Sequence, residues 1–431
     1  MQKNIVAIIL AAGKGERMKS SLPKVLHEIC SRPMILYVRD LVKSLKIKKS
    51  VAVVGFKHGL VSPLIEDSAK IVIQKKLLGS GDAVKVALSA LKGFRGTVLI
   101  LYGDCPLLKK ESISKLITHH IENRCDATLL TAVVDKPSGY GRIMRDKYAS
   151  ICGIIEEKDA DDFQKGIKEV NTGIICFNKD ALAKALALVR ANNRKKEYYL
   201  TDAIGILYKQ GRSIDSVRIE DVSEALGINS RVELAKANAI MQKRINDDFM
   251  KEGVTIVDPA SCFISYGAKI GRDTVIYPFT VIERDVTIGK HCSIGPFVHV
   301  REGTRLSDSV YVGNFIELVR SAISSHTLIK HFGYIGDTTI GQAVNIGAGF
   351  VTANFDGARK NTTVIKDGAF IGSDTILVAP VTIGRGAKTG AGSVVVKNQN
   401  VPDGEVVVGV PARLLKISSS APKHKKRLSE V

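Results

Sequence analysis

Ile270-Gly271-Arg272-Asp273-Thr274-Val275-Ile276-Tyr277-Pro278-Phe279-Thr280-Val281-Ile282 opens a run in which one aliphatic residue returns at every sixth position. The beat continues without a slip through Ile288, Ile294, Val300, Leu306, Val312 and Leu318, with glycine following at Gly271, Gly289, Gly295 and Gly313. It returns as Ile340-Gly341 and Ile346-Gly347, and again as Ile365, Ile371-Gly372, Leu377, Ile383-Gly384, Thr389-Gly390 and Val395. A period of six is not a multiple of the helical turn of about 3.6 residues, so an amphipathic helix cannot carry it. A parallel β-solenoid can. Each coil is three short strands, each strand turns one aliphatic inward, and small residues fit the tight corners. The rhythm predicts such a solenoid from Val254 to about Val396. Interruptions near Ser321–Lys330 and at Thr352–Thr363 are expected to be loops projecting from the coils, where sites tend to sit.

Upstream the pattern changes. Ile5–Leu10, Ser50–Val54, Ile71–Gln74, Thr97–Tyr102 and Ala127–Val134 read as strands, and Met34–Leu45 and Ala83–Leu91 as helices. This alternation predicts an α/β domain with a mostly parallel sheet, whose ligands gather at the carboxyl ends of the strands. Ser230-Arg231-Val232-Glu233 has capping-box spacing, and Leu234, Ala237, Met241 and Ile245 then keep helical spacing. The expected organisation is an α/β domain over 1–229, a connecting helix over 230–253, a solenoid domain over 254–413 and a basic tail over 414–431. The tail carries Lys423-His424-Lys425-Lys426-Arg427 and is expected to be disordered.

A length of 431 residues is too great for one core and fits two. No apolar run is long enough to span a membrane. Ile5–Leu10 is short and runs into Ala11-Ala12-Gly13-Lys14-Gly15, so it reads as a buried first strand rather than a secretory leader. The seven cysteines are scattered and lack Cys-x-x-Cys spacing, which signals neither zinc nor a disulfide framework and suits a reducing cytoplasm. The formal charge of +20 invites a nucleic-acid reading. No recognition helix, stacking platform or zinc finger supports it, and anionic small-molecule substrates account for the charge instead.

The first strand ends in Leu10-Ala11-Ala12-Gly13-Lys14-Gly15-Glu16-Arg17-Met18, followed by Pro23-Lys24. Glycines after a buried strand let main-chain N–H groups face phosphate oxygens, and Arg17 and Lys24 add positive charge there. The spacing is neither that of a Rossmann turn nor that of a P-loop. Asp104 closes a hydrophobic strand at Tyr102-Gly103-Asp104; alone it reads as a turn residue, and beside the glycine turn as a metal ligand. Asn229 by itself reads equally as part of a helix cap. His331 stands just after the first interruption of the solenoid and is a candidate base, since imidazole titrates near working pH.

The string Gly13, Gly15, Arg17, Pro23 and Lys24 resembles the signature of the sugar nucleotidylyltransferases. Gln74, Gly79-Ser80-Gly81, Gly139-Tyr140-Gly141-Arg142, Glu156, Asn171-Thr172-Gly173, Tyr198-Tyr199-Leu200-Thr201-Asp202 and Gly227-Ile228-Asn229 extend the match in order. Gly313-Asn314-Phe315-Ile316-Glu317, His331, Tyr334-Ile335-Gly336-Asp337, Asn345-Ile346-Gly347-Ala348-Gly349 and Thr352-Ala353-Asn354-Phe355-Asp356-Gly357 extend it into the solenoid. Over roughly residues 3–413 the chain resembles the bacterial bifunctional N-acetylglucosamine-1-phosphate uridylyltransferase/glucosamine-1-phosphate acetyltransferases, the GlmU family.

The resemblance implies a nucleotidyltransferase domain followed by a left-handed parallel β-helix, in a cytoplasmic homotrimer that binds neither nucleic acid nor membrane. It implies Mg²⁺, with UTP and acetyl-CoA as substrates. The nucleotide would lie on Leu10, Ala11, Ala12, Gly13, Lys24, Gln74, Gly79, Ser80, Tyr102, Gly103 and Asp104, with Arg17 and Lys24 catalytic and Asp104 and Asn229 on the metal. Gly141, Glu156, Asn171, Tyr199 and Asn229 would hold N-acetylglucosamine 1-phosphate. In the β-helix His331 would be the base and Arg301, Tyr334, Asn345 and Lys360 would hold glucosamine 1-phosphate. Ala348, Asn354, Phe355, Ser373, Ala391 and Arg413 would hold acetyl-CoA. The chain departs from the family pattern at Glu16, Leu77, Val319 and Gly409; Arg320 and Arg413 are candidate substitutes for the last two. Alternatives left open are another sugar-1-phosphate nucleotidylyltransferase, a uridylyltransferase that has lost acetyl transfer, and a non-catalytic assembly subunit.

Overall fold

Strand Ile5–Ala11 is buried along its whole length because both of its faces meet protein. Ile5, Ala7, Ile9 and Ala11 enter one apolar cluster, and Val6, Ile8, Leu10 and Ala12 enter another. A continuous aliphatic run is what a central strand covered by helices on both sides requires. The computed structural model describes residues 4–415, so the basic run near 423–427 lies outside the described residues.

Two compact units are present, Met1–Met241 and Gln242–Val431, and the division falls within helix Arg231–Lys251. In the first, the main sheet runs Ile214–Arg218, Ala127–Val133, Glu169–Asn178, Thr97–Tyr102, Ile5–Ala11, Lys49–Val54, Lys70–Ile73. Ile5–Ala11 is parallel to both neighbours, whereas Glu169–Asn178 is antiparallel to both of its own. The sheet is thus mostly parallel, as the alternation predicts, with one reversed strand near an edge. Gly141–Arg145 pairs with Glu169–Asn178 and Ile151–Ile155. The helix at Ser230 starts with one half of the expected capping box: the Glu233 N–H donates to Ser230 Oγ at 3.3 Å, while the Glu233 carboxylate accepts from the N–H of the preceding residue, Asn229, at 2.7 Å.

The second unit is the parallel β-helix. Its short strands stack in three sheets in which every third strand is hydrogen-bonded, so each coil contributes one strand to each wall. The sixth-residue aliphatics are its core: Ile276, Ile282, Ile294, Val300 and Val312 are fully buried. The coil step is 18 residues where Val275 faces Ser293. Stacking continues past Val396 through Val406–Val408, after which Arg413–Leu414 turns back antiparallel.

The two interruptions differ in kind. The first is not a projecting loop. The step shrinks to 17 residues, Arg305 facing Ala322 and Ala322 facing Thr339, because one corner is a residue short in each coil. Losing one residue breaks the sequence rhythm as surely as gaining several, and the two cannot be told apart by period alone. The second is a true insertion: the step from Thr339 to Val364 is 25 residues, and the excess forms a loop closed by a Phe355–Lys360 bridge.

Candidate active sites

In the α/β unit the glycine turn behaves as its spacing suggests. Gly15 has φ +67°, and a methyl group there would lie 2.6 Å from Lys24 Cβ. A methyl group on Gly13 would meet nothing within 4 Å, so that backbone is open to a ligand. Gly103 closes the adjacent strand end, its N–H donating to Leu10 O at 2.9 Å. The Lys24 ammonium sits between Asp104 Oδ2 and Asn229 Oδ1, the latter at 2.9 Å. These three residues are far apart in sequence. The N–H of Ile228 donates to the Asp104 carbonyl at 3.0 Å and fastens the Asn229 loop in place. Arg17 stands exposed on the neighbouring turn. Two hard oxygens converging on one cation fit Mg²⁺, which keeps much of its shell for water and substrate phosphate.

The segment expected to read the base is zipped to the Tyr198-Tyr199 strip. Gly81 N–H donates to Tyr198 O at 2.8 Å, Tyr198 N–H to Leu78 O at 2.8 Å, and Leu200 N–H to Ser80 Oγ at 3.1 Å. Gln74 is buried, with its amide nitrogen donating to Gly79 O at 3.1 Å and to Asp82 at 2.8 Å, which fixes the direction of its carbonyl. Leu77 is exposed. Gly173, at φ +85°, lies under the Tyr102 ring: a methyl group there would be 2.9 Å from Cε2. Burial pushes the Tyr102 hydroxyl pKa up.

Residues expected to hold the sugar also meet. Gly141 faces Asn171 across two strands, and the Asn171 side chain accepts from Gly173 N–H at 3.0 Å. Glu156 accepts from the Thr201 hydroxyl at 3.0 Å, and burial raises its pKa. Tyr199 is buried, which lifts its hydroxyl to about 12. Asp202 is pushed up to about 6, first by burial and then by the nearby Glu156 and Asp159 charges. Thr201 and Asp202 belong to the Tyr198–Asp202 motif, but the motif gives Thr201 no individual role, since its hydrogen bond to Glu156 spans 45 residues. Arg142 is fully buried and braces its loop, bonding Tyr140 O and Lys165 O and pairing with Glu157 at 2.8 Å.

In the β-helix, Val312, Ile329, Ile346, Ile371 and Thr389 are stacked partners. The residues two positions later, Asn314, His331, Ala348, Ser373 and Ala391, therefore share one corner column. Cross-coil bonds confirm the stacking: Gly333 N–H to Phe315 O at 3.2 Å, Gly349 N–H to Phe332 O at 2.8 Å, Asp374 N–H to Ala348 O at 2.6 Å and Gly392 N–H to Ser373 O at 2.8 Å. His331 is exposed there.

A second column stands at another corner, where the step is short. Arg320 pairs with both oxygens of Asp337, at 2.6 and 2.7 Å, and Asn354 donates to the same carboxylate at 2.5 Å. These contacts hold Asp337 below the usual carboxylate range, the Arg320 hydrogen bond first. A methyl group on Gly336 would lie 2.5 Å from the Tyr334 hydroxyl and 2.7 Å from Asn354 Nδ2, so the bare backbone is what lets those groups meet. Val319 is buried and cannot take over a lysine's role; Arg320 is the cation at this corner. Arg301 is held by Glu317 at 2.8 Å. Asp337 and Gly336, within the Tyr334–Asp337 motif, are the residues on which this cluster closes. Asn345 lies on a different wall from Tyr334, and Phe355 projects exposed on the inserted loop. Arg413, on the final turned-back strand, donates to Ala412 O at 3.0 Å. Lys24, Asp104 and Asn229 thus converge within one unit, whereas the residues expected to serve acetyl transfer lie on separate corners and walls of the β-helix.

A MobA-like NTP transferase domain model matches residues 7–192, and bacterial transferase hexapeptide models match 267–302 and 362–397. The chain is 42% identical to the bifunctional protein GlmU of Shouchella clausii, covering 90% of this chain and 93% of that one. It is 42% identical to GlmU of Carboxydothermus hydrogenoformans (92% and 95%) and 41% identical to that of Heliobacterium modesticaldum (97% and 98%). The chain belongs to the GlmU family. Membership covers both units, so the GlmU plan of a nucleotidyltransferase followed by a hexapeptide β-helix applies to the whole molecule. Among the described residues no helix is long and apolar enough to cross a membrane.

Proposed function

We propose that the two halves of this bifunctional enzyme divide the synthesis of UDP-N-acetylglucosamine between them. The β-helix transfers acetyl from acetyl-CoA to glucosamine 1-phosphate. The α/β unit then transfers uridylyl from UTP to N-acetylglucosamine 1-phosphate and releases pyrophosphate. The observation that carries the reading is the convergence of Lys24, Asp104 and Asn229 beside an open glycine turn.

In the uridylyl step a sugar-phosphate oxygen attacks the α-phosphorus of UTP in line with the departing pyrophosphate. Two anions must meet, so fixed positive charge carries most of the catalysis. Asp104 and Asn229 would hold Mg²⁺, which when bound would supply neutralisation of the phosphate oxygens. Arg17 and Lys24 take the triphosphate, and the Gly13 backbone lets it approach. The Gln74 carbonyl, oriented by its bonded amide nitrogen, reads the uracil edge. Gly141, Glu156, Asn171 and Tyr199 seat the sugar phosphate.

In the acetyl step His331 takes a proton from the amine as its nitrogen attacks the thioester carbonyl, and the CoA thiolate leaves. Arg301, Arg320, Tyr334 and Lys360 receive the sugar phosphate, while Ala348, Ser373 and Ala391 line the acetyl-CoA column above His331. Their spread around one prism supports a homotrimer in which a corner of one subunit meets a wall of the next. Asp104→Ala should abolish uridylyl transfer and spare acetyl transfer, and His331→Ala should do the reverse, each by about a hundredfold or more. Loss of both activities together in either variant, or acetylation by a 46.6 kDa monomer in sedimentation, would overturn the assignment.

A further inference from the structure

The two cations that the sequence assigns jointly to the triphosphate are in different states. Arg17 is exposed. Lys24 has a side chain only 14% exposed, and its ammonium is already engaged by both oxygens proposed to hold the metal. We infer that Lys24 is the built-in counter-ion of the metal site, occupying the point where Asp104 and Asn229 converge and yielding it when a divalent ion enters. The inference rests on the proposed metal role of those two residues.

The surroundings identify Lys24 as the part that moves. Asp104 is fixed by the Ile228 N–H on its carbonyl and by the Cys105 thiol, 3.7 Å from Oδ1. Asn229 is fixed by its N–H to Glu233 at 2.7 Å and by its own amide nitrogen to Gly227 O at 3.2 Å. Among the described residues the Lys24 ammonium has no partner beyond the two oxygens, and its four-carbon stem is flexible. That stem lies against Gly15, within the phosphate turn: a methyl group on Gly15 would be 2.6, 3.3 and 3.4 Å from its Cβ, Cγ and Cδ. From the same root the ammonium can serve either the oxygens or an incoming phosphate. While it sits between the oxygens it keeps two polar groups paired. A divalent ion must displace it, so the free enzyme binds metal weakly. By linkage, whatever draws Lys24 away tightens metal binding to the same degree.

Mn²⁺, a probe that suits oxygen ligands, reads this directly by paramagnetic resonance on the full chain without nucleotide. Lys24→Met and Lys24→Gln should each bind Mn²⁺ at least about fivefold tighter than wild type, a size set by losing a charge-assisted hydrogen bond that competes with the ion. Arg17→Gln, which removes an equal charge without touching the oxygens, should stay within about twofold. Unchanged or weaker binding in the Lys24 variants, or equal tightening in Arg17→Gln, overturns the inference. Wild-type affinity in Asp104→Asn would instead sink the metal assignment beneath it. Should Lys24→Met fail to fold, Lys24→Gln still removes the charge while keeping a donor for Asp104. Its thermal midpoint should then rise with Mn²⁺ by more than that of wild type.

Discussion

A single methyl group at Gly313 should separate the two activities. Gly313 occupies the corner column one residue before Asn314, and its added Cβ would lie 1.9 Å from the carbonyl oxygen of Lys330 and 2.5 Å from its carbon. Ordinary contact begins near 3.4 Å. The coil must therefore open by more than about 1 Å at the peptide that leads directly into His331. Displacement of a catalytic group by about that much costs on the order of a hundredfold in rate. The overpacking itself should cost about 1–3 kcal/mol of stability. The assays are release of CoA thiol for acetyl transfer, release of pyrophosphate for uridylyl transfer, and thermal unfolding. Gly313→Ala should lose about a hundredfold in the first, almost nothing in the second, and several degrees in the unfolding of the β-helix. Acetylation within about threefold of wild type with an unchanged midpoint would refute the link between this corner and the base.

The other site yields two further expectations. Gly15→Ala places a methyl group against Lys24 Cβ at a φ that L-residues resist, so uridylyl turnover should fall at least about tenfold while acetyl transfer holds; equal turnover would show that the turn tolerates a side chain. Asp202 has its folded pKa raised to about 6, above the ordinary carboxylate value, so the folded state holds the extra proton. Its contribution is present below about pH 4 and is lost as pH rises through about 6, by up to about 3 kcal/mol. Asp202→Asn should remove that slope from urea-denaturation stabilities, and parallel curves for the two proteins would contradict it.

The sequence period of six names the residues of the β-helix core because each coil repeats the same local demand, and Ile276 or Val312 can be read without its neighbours. The α/β sheet is nearly as legible: Thr97–Tyr102 matches residue for residue, Lys49–Val54 begins one residue earlier than expected, and Lys70–Ile73 is shifted by one. The reversed strand Glu169–Asn178 is less so, since a strand buried on both faces looks alike in either direction. The motifs locate residues but not their pairings. Nothing local to Lys24 says that its ammonium bridges Asp104 and Asn229, and nothing near Thr201 points to Glu156. Those contacts depend on backbone bonds such as Ile228 to Asp104, which no window of sequence contains.

The contracted corners explain why the first interruption matters although no loop projects there. A regular coil repeats its corner with small residues, which present backbone but little charge. Where the step is 17, the corner residues fall at Arg320, Asp337 and Asn354, one above another, and both Arg320 and Asp337 adopt positive φ, at 46° and 51°. The missing residue tightens the turn enough that an arginine fork closes on the carboxylate of the next coil, and Asn354 completes the column just before the chain leaves on its inserted loop. Tyr334 and Lys360 are then brought to the same edge, the first by the bare Gly336 and the second by the Phe355–Lys360 bridge. A repeat that is identical at every coil can specify a fold but not a site. Here the deletion and the insertion together turn one edge of an otherwise uniform prism into a place with charge, shape and direction.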